Sequence, residues 1–378
     1  MSKNTILSVL CILATCAIVG CTNDDTTDFS AWIDDTPTPP EAGDTIYIAY
    51  NGATATVTGD VNGEVTVSGA DVTVKSTTTA NRVYVLSGST ADGSLLVFRE
   101  RMFSIVLDGV SITNPDGPAI NNQCGKALYV ECAPGTENSL ADGTDYAPRD
   151  YDQKGAFFSE GEIYFLGTGL LTVTGNYKNA IASDDYITIE EGARLVLKAN
   201  GTNGLKANDG IFVNGGKLDI NVTSDGGRGI RSEARTVIAG GTIDIVTSGD
   251  CKIEVVDGIR DTTSAAGIKS DSLFVMSAGE LTINSSGDGG KGINCSENVE
   301  LSGGILIANT TGSNDEGKPK AVKSDTGIIV SGGSFTATCK KSWACDNGTD
   351  DEDPAGRVTI VGTPAVRTLT KRSVLIQY

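Results

Sequence analysis

The sequence predicts an all-β fold, a single right-handed parallel β-helix, and three observations support this. A segment of the type Gly-Ile-Lys-Ser-Asp recurs about every 24–25 residues, with two longer intervals. Short runs of alternating apolar and polar residues follow each copy, and glycine separates these runs. A repeat of this length indicates a solenoid in which each copy forms one coil. Right-handedness is the sense expected of connections between parallel strands.

The recurring pentapeptide is the first element of each coil. The runs before and after the glycines, such as Ile211/Val213 and Leu218/Ile220, alternate with a period of two, which indicates half-buried strands, and the ten-residue runs that helices need are missing. The copies begin at Ala180, Gly204, Gly229, Gly267, Gly292 and Ala321.

Glycine marks the corner between the two strands that follow, where it can take a positive φ without steric cost. These corner glycines are Gly192, Gly216, Gly241, Gly279, Gly304 and Gly333. Insertions at 136–154, 250–264 and 311–318 are predicted to be loops that each bulge from one coil.

The two ends of a solenoid need caps, because an open edge strand can pair with another chain. Residues 45–100 are rich in strand patterns but out of register with the repeats, so we interpret them as an N-terminal cap with the first irregular coils. The β-helix proper is then residues 101–378. Val358–Val361 and Ser373–Tyr378 are expected to close the other end.

The start of the chain resembles a bacterial lipoprotein signal. Lys3 precedes an apolar run over 6–19 that is too short for a comfortable membrane span, and small residues precede Cys21. We therefore expect a signal peptide over 1–20, lipidation at Cys21 and a flexible tether over 21–44. Acidic residues directly after Cys21 resemble an export signal, which predicts a protein anchored in the outer membrane and exposed at the cell surface, with only its lipid in the membrane.

Charge and composition exclude several classes of function. The formal net charge is −19, which argues against nucleic acid and anionic lipid as partners. The chain has no histidine, which excludes histidine catalysis and most zinc sites. Six cysteines follow Cys21, and their spacing leaves the disulfide pairing open. We expect Cys295 to be a core thiol and the protein to be a monomer.

The third position of the pentapeptide is basic in most copies. Stacking of the coils would place these side chains on neighbouring strands about 4.8 Å apart. They are either a basic stripe that binds the carboxylates of a polyanion or part of an internal lattice of ion pairs. The residues concerned are Lys206, Arg231, Lys269 and Lys323, interrupted by Asn294.

The fifth position of the pentapeptide is mostly acidic, and a second acidic set lies at the corner before the repeat. Stacked carboxylates repel one another, so a cation is expected to neutralise some of them. Oxygen ligands from adjacent corners suit Ca²⁺. The alternative is that the corner aspartates, such as Asp225 and Asp288, make only local hydrogen bonds.

Several motifs together resemble a family of bacterial extracellular carbohydrate-binding proteins. They are Val106-Leu-Asp-Gly-Val-Ser-Ile, Ala180-Ile-Ala-Ser-Asp-Asp and the repeated Asp-Gly-x-x-Gly-Ile-[Lys/Arg]-Ser-[Asp/Glu]. The resemblance covers residues 45–340 and implies a β-helix like that of pectate lyases. It also implies bound calcium and binding of acidic polysaccharide such as polygalacturonate, with cellulose as a further ligand. The calcium ligands of that family map onto Asp184, Asp185, Asp209, Asp225, Asp271 and Asp288.

Two other functions compete with non-catalytic binding. One is a calcium-dependent polysaccharide lyase, in which Arg231 or Lys269 would be the base. The other is a structural adhesin. Aromatic residues make up only 6% of the chain, which favours charged over neutral sugars, with Tyr177 or Tyr186 supplying one stacking contact.

Overall fold

The computed structural model describes residues 43–350 and 352–378, which belong to the second of two units of the chain, Pro39–Tyr378. The predicted signal peptide, Cys21 and all but the last residues of the tether lie outside this part. The described chain is all-β, with 1% helix, and forms a parallel β-solenoid of about 11 turns. This confirms the predicted fold class. None of its helices is long and apolar enough to span a membrane.

Thirty-seven strands and one short 3₁₀ helix, Pro354–Arg357, make up the regular structure of the described residues. The first ten strands are β1 (Asp44–Asn51), β2 (Thr54–Thr58), β3 (Val65–Ser68), β4 (Asp71–Ser76), β5 (Arg82–Thr90), β6 (Ser94–Arg99), β7 (Phe103–Asn114), β8 (Ile120–Asn122), β9 (Leu128–Cys132) and β10 (Glu137–Asp142). The regular coils contain β11 (Gly155–Ser159), β12 (Ile163–Gly167), β13 (Leu170–Gly175), β14 (Asn179–Ser183), β15 (Tyr186–Ile189), β16 (Arg194–Ala199), β17 (Leu205–Ala207), β18 (Gly210–Val213), β19 (Lys217–Val222), β20 (Arg228–Ser232), β21 (Arg235–Ile238) and β22 (Thr242–Thr247). Next come β23 (Lys252–Val256), β24 (Ile259–Thr263), β25 (Ala266–Ser270), β26 (Phe274–Met276), β27 (Glu280–Ser285), β28 (Lys291–Cys295), β29 (Val299–Leu301), β30 (Ile305–Thr310), β31 (Lys320–Ser324), β32 (Ile328–Val330) and β33 (Ser334–Cys339). The last strands are β34 (Cys345–Asp346), β35 (Thr359–Ile360), β36 (Val366–Leu369) and β37 (Ser373–Gln377).

Each regular coil contributes three strands, and equivalent strands pair in parallel from coil to coil. The pentapeptide forms the first strand, so β14, β17, β20, β25, β28 and β31 stack in one twelve-stranded sheet. We call it the first-strand sheet. The second and third strands of each coil stack in two further ladders, for example β18 on β21 and β19 on β22. The repeat of the sequence is therefore the coil of the structure.

The core is one continuous cluster that runs from Ile46 to Ile376. It is built from ladders of identical or similar side chains, because the register places the same repeat position over itself. Leu195, Leu218, Ile243, Leu281 and Leu306 form one such ladder. Each of them is almost completely buried, which stabilises the fold by about 1.5–3 kcal/mol per side chain.

Glycine has two separate roles in the coil. At the corner, Gly241 has a φ of 82°, as expected for a tight turn. At the start of the pentapeptide the reason is space. A Cβ on Gly229 would lie 2.4 Å from Cγ2 of Ile245, and one on Gly267 would lie 2.3 Å from Cγ2 of Ile283. The motif glycine thus lets the first strand pack directly on the third strand.

Residues 45–100 are stacked coils that carry an extra antiparallel pair of strands. β1 pairs in parallel with β5, and β4 with β6, so the solenoid begins at residue 44. β2 and β3 pair antiparallel with β1 and β4 and cover their open edges. The out-of-register pattern arises because β5 and β7 are long strands in place of two short ones. At the other end, β37 lies antiparallel on β33, as the expected cap.

Candidate functional site

The basic third positions of the pentapeptide stack in register on the first-strand sheet. Lys206 lies opposite Arg231, and Arg231 lies opposite Lys269. Asn294 interrupts the row before Lys323. We call Lys206, Arg231, Lys269 and Lys323 the basic row. The sequence predicts this juxtaposition, and the structure shows it.

Every member of the basic row is paired with a fifth-position acid. Lys206 lies 3.2 Å from Glu233, and Lys269 lies 2.8 Å from Asp271. Arg231 also pairs with Asp271, and Lys323 pairs with Asp325. The basic side chains are only 17–29% exposed. The basic row therefore forms the internal lattice of ion pairs that was one of the two interpretations of the sequence. Each cation of the row is nevertheless still partly accessible to solvent.

Asp271 is the most strongly compensated acid of the lattice. Burial raises the pKa of its carboxyl, but hydrogen bonds from Arg231 and Lys269 outweigh burial and hold the pKa below its usual range. Because two cations already neutralise Asp271, it does not fit the role of a calcium ligand that the sequence assigned to it.

A cleft of about 720 Å³ opens on the first-strand sheet beside the N-terminal end of the basic row. Six cations and three carboxylates line it, although the whole chain carries a charge of −19. We call it the basic cleft. Its charged residues are Lys154, Lys178, Lys206, Arg228, Arg231 and Lys252, with Asp225, Glu233 and Glu254. Lys269 and Lys323 lie outside it.

Arg228, like Lys178, is a cation of the basic cleft without an ion-pair partner in the described part of the chain. It is partly buried, has no carboxylate within ion-pair distance among the described residues, and its Nε is buried without a hydrogen-bond partner there. Burial lowers the pKa of its guanidinium and the positive charge of Arg231 lowers it further, while the negative charge of Asp271 opposes the shift without outweighing it. The sequence analysis did not identify Arg228, which precedes the motif glycine in Gly226-Gly-Arg-Gly-Ile. A basic residue recurs at the same position in Gly289-Gly-Lys-Gly-Ile, and this recurrence is the signal that could have identified it.

The insertion at 250–264 forms one wall of the basic cleft. It was predicted to be a loop, but β23 and β24 pair antiparallel as a hairpin. Lys252, Glu254 and Thr263 of the hairpin line the cleft. Lys252 and Glu254 are 2.8 Å apart, so the wall adds little net charge.

Two tyrosines contact Lys178, one of the cations that line the basic cleft. The Nζ of Lys178 donates a hydrogen bond to the carbonyl of Gln153 and lies 5.5 Å and 5.8 Å from the ring centroids of Tyr146 and Tyr177. Tyr177 is 39% exposed, so a sugar ring can reach it. Tyr186 instead packs edge-on against Tyr164 and Phe212 in a row outside the cleft.

Asp184 belongs to a cluster of three carboxylates. Its oxygens lie within 4.8 Å of those of Asp152 and Glu160. Lys154 pairs with Asp152 at 2.6 Å and also with Asp184. Burial raises the pKa of Glu160, and the charge of Asp184 raises it further. Three carboxylates around one lysine leave an excess of negative charge.

Asp185 and Asp209 form a second acidic group on adjacent coils, with Glu162 nearby. Burial raises the pKa of Asp185 to about 6, and the charges of Glu162 and Asp209 contribute to the same shift. The group therefore also lacks compensation, in contrast with Asp271.

The corner aspartates make hydrogen bonds from coil to coil. The Asp225 carboxylate accepts from the backbone N–H of Asp250 at 2.9 Å, and Asp250 accepts from that of Asp288 at 2.8 Å. Asp288 accepts in turn from the N–H of Ser313 at 2.8 Å. Each of these side chains therefore makes structural hydrogen bonds, which is the alternative to calcium binding that corner aspartates suggest. Thus the six predicted metal ligands lie in four separate places.

The cysteines lie in the core. All six in the described residues are buried free thiols. Cys295 is fully buried, as predicted, and its thiol donates to the carbonyl of Ser272 at 2.7 Å.

These observations define the protein as a parallel β-solenoid with a basic cleft on one of its sheets. The sequence matches the family described as "Carbohydrate-binding domain-containing protein" over residues 68–228 and 219–317, well over half of the chain. The chain belongs to this family.

Two relatives extend the comparison. A carbohydrate-binding domain-containing protein of Acetivibrio thermocellus is 30% identical over 122 residues, which is 31% of this chain and 42% of the relative. The chain therefore spans less than half of that relative. The solved structure of a polysaccharide lyase-like protein from C. thermocellum, a gadolinium derivative, is similar with a TM-score of 0.55 and 25% identity, over 68% of this chain and 96% of that chain.

Proposed function

We propose that the protein binds an acidic, uronate-containing polysaccharide in the basic cleft and does not cleave it. Membership of the carbohydrate-binding family supports binding of a polysaccharide, and the charge of the cleft supports an acidic one. The observation that carries the proposal is Arg228. A half-buried guanidinium that no carboxylate of the described residues reaches within ion-pair distance favours a ligand that supplies the carboxylate.

The expected binding is weak for each sugar and cumulative along a chain. Exposed ion pairs contribute about 0.2–1 kcal/mol each, and salt screens them. Lys178 and Arg228 would bind carboxylates of the ligand, while Tyr177 would contact one sugar ring. Lys206 and Arg231, whose own partners leave them partly accessible, add positive potential to the same cleft.

Retention on immobilised polygalacturonate tests this proposal. We expect Lys178→Ala with Arg228→Ala to lower retention strongly, because both cations lack a carboxylate partner in the described part of the chain. The control, Arg194→Ala with Lys198→Ala, removes two positive charges from the exposed face of β16, on a different ladder. Equal loss in both variants would show attraction by overall charge, and undiminished retention in the cleft variant would refute the proposal. A parallel column of cellulose tests the further ligand that the resemblance implies.

Calcium is proposed to occupy the two acidic groups that lack compensation. The first is Asp152, Glu160 and Asp184, and the second is Glu162, Asp185 and Asp209; their carboxylate oxygens are ligands that Ca²⁺ prefers. Binding to the native state alone adds about 2.7 kcal/mol at a hundredfold excess over the dissociation constant. The melting temperature should therefore rise with calcium and fall with a chelator. Glu160→Gln should reduce that difference, and an identical melt under both conditions would refute the site.

Cleavage of the same polysaccharide is a second candidate, and the position of Arg228 in the basic cleft, with no ion-pair partner among the described residues, favours it. β-Elimination needs a base beside the uronate. Arg231 and Lys269, the bases suggested by the sequence, are instead both ion-paired with Asp271. We expect no unsaturated product, measured by ultraviolet absorbance during incubation with polygalacturonate and calcium. Product that disappears in Arg228→Ala would establish a lyase.

Surface anchoring through Cys21 remains part of the proposal. Labelling of cells with a palmitate analogue should tag the protein, and Cys21→Ser should abolish the label. Equal labelling of the variant would contradict lipidation, and protease treatment of intact cells tests exposure at the outer membrane.

A further inference from the structure

A second cleft lies on the C-terminal coils, remote in sequence from the basic cleft. It has a volume of about 510 Å³, and we call it the terminal cleft. Loop 311–318, β31 and the segments before β34 and β37 bring its residues together. The charged and aromatic residues that line it are Lys318, Lys320, Lys341, Trp343, Asp346, Asp350, Glu352, Arg357 and Lys371.

The cations of the terminal cleft divide into compensated and uncompensated groups. Asp346 lies 2.8 Å from Lys320 and 3.1 Å from Arg357. Lys341 and Lys371, by contrast, have no carboxylate within ion-pair distance among residues 43–350 and 352–378. This is the arrangement of the basic cleft again, in which compensated cations stand beside cations that a ligand could bind.

Trp343 holds the cationic side chains in place. Cζ of Arg357 lies 4.0 Å, and Nζ of Lys371 lies 4.6 Å, from its ring centroid. These are favourable cation–π distances, so the indole keeps the two cations at the cleft. It is one of only two tryptophans in the chain.

The two clefts share a face and a wall. Between them on the first-strand sheet, Arg228, Ala266, Lys291 and Lys320 lie in register on successive strands. Three strand spacings separate Arg228 from Lys320, a distance of about 14 Å.

The wall is the hairpin of the basic cleft together with loop 311–318. Arg260 of the hairpin pairs with Glu316, and the thiol of Cys251 donates to the carbonyl of Glu316 at 3.2 Å. Asn314 and Lys318 of the same loop line the terminal cleft. A chain lying on the sheet would therefore meet one continuous border between the clefts.

We propose that the terminal cleft is a second site for acidic polysaccharide, and that one long chain lies along the first-strand sheet and occupies both clefts. This rests on the proposed function of the basic cleft. Lys291, the one cation of that register between Arg228 and Lys320, gives the intervening sugars a further favourable contact. Linking two weak sites through one ligand raises the overall affinity by about 100-fold or more.

Titration calorimetry with oligogalacturonates of increasing length tests the proposal. For the unaltered protein we expect a steep gain in affinity once the oligomer is long enough to reach both clefts. Lys341→Ala with Lys371→Ala should remove that gain and leave the binding of short oligomers to the basic cleft intact. The control is again Arg194→Ala with Lys198→Ala, and melting curves confirm that each variant is folded. A length dependence in the terminal variant equal to that of the control would overturn the proposal.

The same titration separates this proposal from the proposed function. If short oligomers bind to Lys178→Ala with Arg228→Ala as they do to the unaltered protein, and fail to bind only when the terminal cleft is changed, the basic cleft is wrongly assigned and the terminal site stands alone. If no variant differs from the control at any length, both assignments fail.

Discussion

Arg82 in the first coils and Arg228 in the regular coils are both withdrawn from solvent, but their surroundings differ. The Arg82 side chain is 1% exposed, and it lies 2.7 Å from Glu64 and 2.7 Å from Asp44. Hydrogen bonds to Glu64 raise its pKa against the effect of burial. Arg228 has no such partner in the described chain, and burial lowers its pKa. Complete compensation indicates a structural charge, whereas missing compensation indicates a place for a ligand.

Breaking the compensated pair should have the largest effect. Glu64→Gln removes the charge that faces both Arg82 and Arg99, and the loss of one partner from a buried pair costs about 3–5 kcal/mol. Urea unfolding should show a lower midpoint at an unchanged slope. Asp44→Asn is the control, because Asp44 is 65% exposed and should contribute at most about 1 kcal/mol. Similar midpoints for the two variants would contradict the structural role of the buried pair.

The strand that carries Arg228 can be disturbed from its core side. Gly229→Ala places a Cβ 2.4 Å from Cγ2 of Ile245 and should lower the free energy of unfolding by about 1–3 kcal/mol through overpacking. Gly125→Ala is a matched control, since no atom lies within 4 Å of its Cβ position. The measurement is again urea unfolding. Equal stability of the two variants would show that the coil at Gly229 tolerates alanine, as the copies that begin with Ala180 and Ala321 do, and that space is not the reason for glycine there.

Changing the uncompensated arginine should affect binding and not folding. Arg228→Ala removes a charge-assisted contact of about 1.5–3 kcal/mol to a ligand, which predicts a tenfold or greater loss of affinity for polygalacturonate. Its melting temperature should equal or exceed that of the unaltered protein. Arg231→Ala should instead destabilise the fold by up to about 1 kcal/mol, because it leaves Asp271 with Lys269 alone. Calorimetry and melting curves of both variants distinguish the two roles, and a reversed pattern would break the comparison.

The smallest effect concerns Asp185, an acid with no cation within ion-pair distance among the described residues. Its pKa is about 6 in the folded chain against an ordinary value of 3.8, so the folded state binds the proton more tightly than the unfolded state. Stability should therefore fall as the pH rises from about 4 to about 6. Asp185→Asn should raise stability at pH 7.5, by less than about 1 kcal/mol because the group is partly exposed, and should have no effect at pH 3.5. Calcium should also raise the stability of the unaltered protein at this pH. A melting temperature of Asp185→Asn below that of the unaltered protein at pH 7.5 would show that Asp185 is already compensated.

The sequence by itself determined the architecture of this protein. Its pentapeptide and corner glycines recur at the length of one coil, and in a parallel solenoid each repeat position must lie over its own copy. The core ladder from Leu195 to Leu306 and the register of Lys206 with Arg231 follow from that rule. The pattern was weaker over 45–100, because long strands there replace the two short ones.

Which charges have an ion-pair partner became clear from the folded chain and not from the repeat. Periodicity gives the position of a side chain along the axis, but not the partner that reaches it from a neighbouring coil or an insertion. Asp271 pairs with two cations of the lattice, and the Asp225 carboxylate accepts a hydrogen bond from the backbone of the next coil. Arg228 has no carboxylate within ion-pair distance in the described part of the chain. The hairpin over 250–264 and the loop over 311–318 lie outside the repeat. The repeat pattern therefore does not predict that Arg260 and Glu316 pair and that the two segments together border both clefts. Compensation depends on distances between such segments, and those distances are fixed only when the chain has folded.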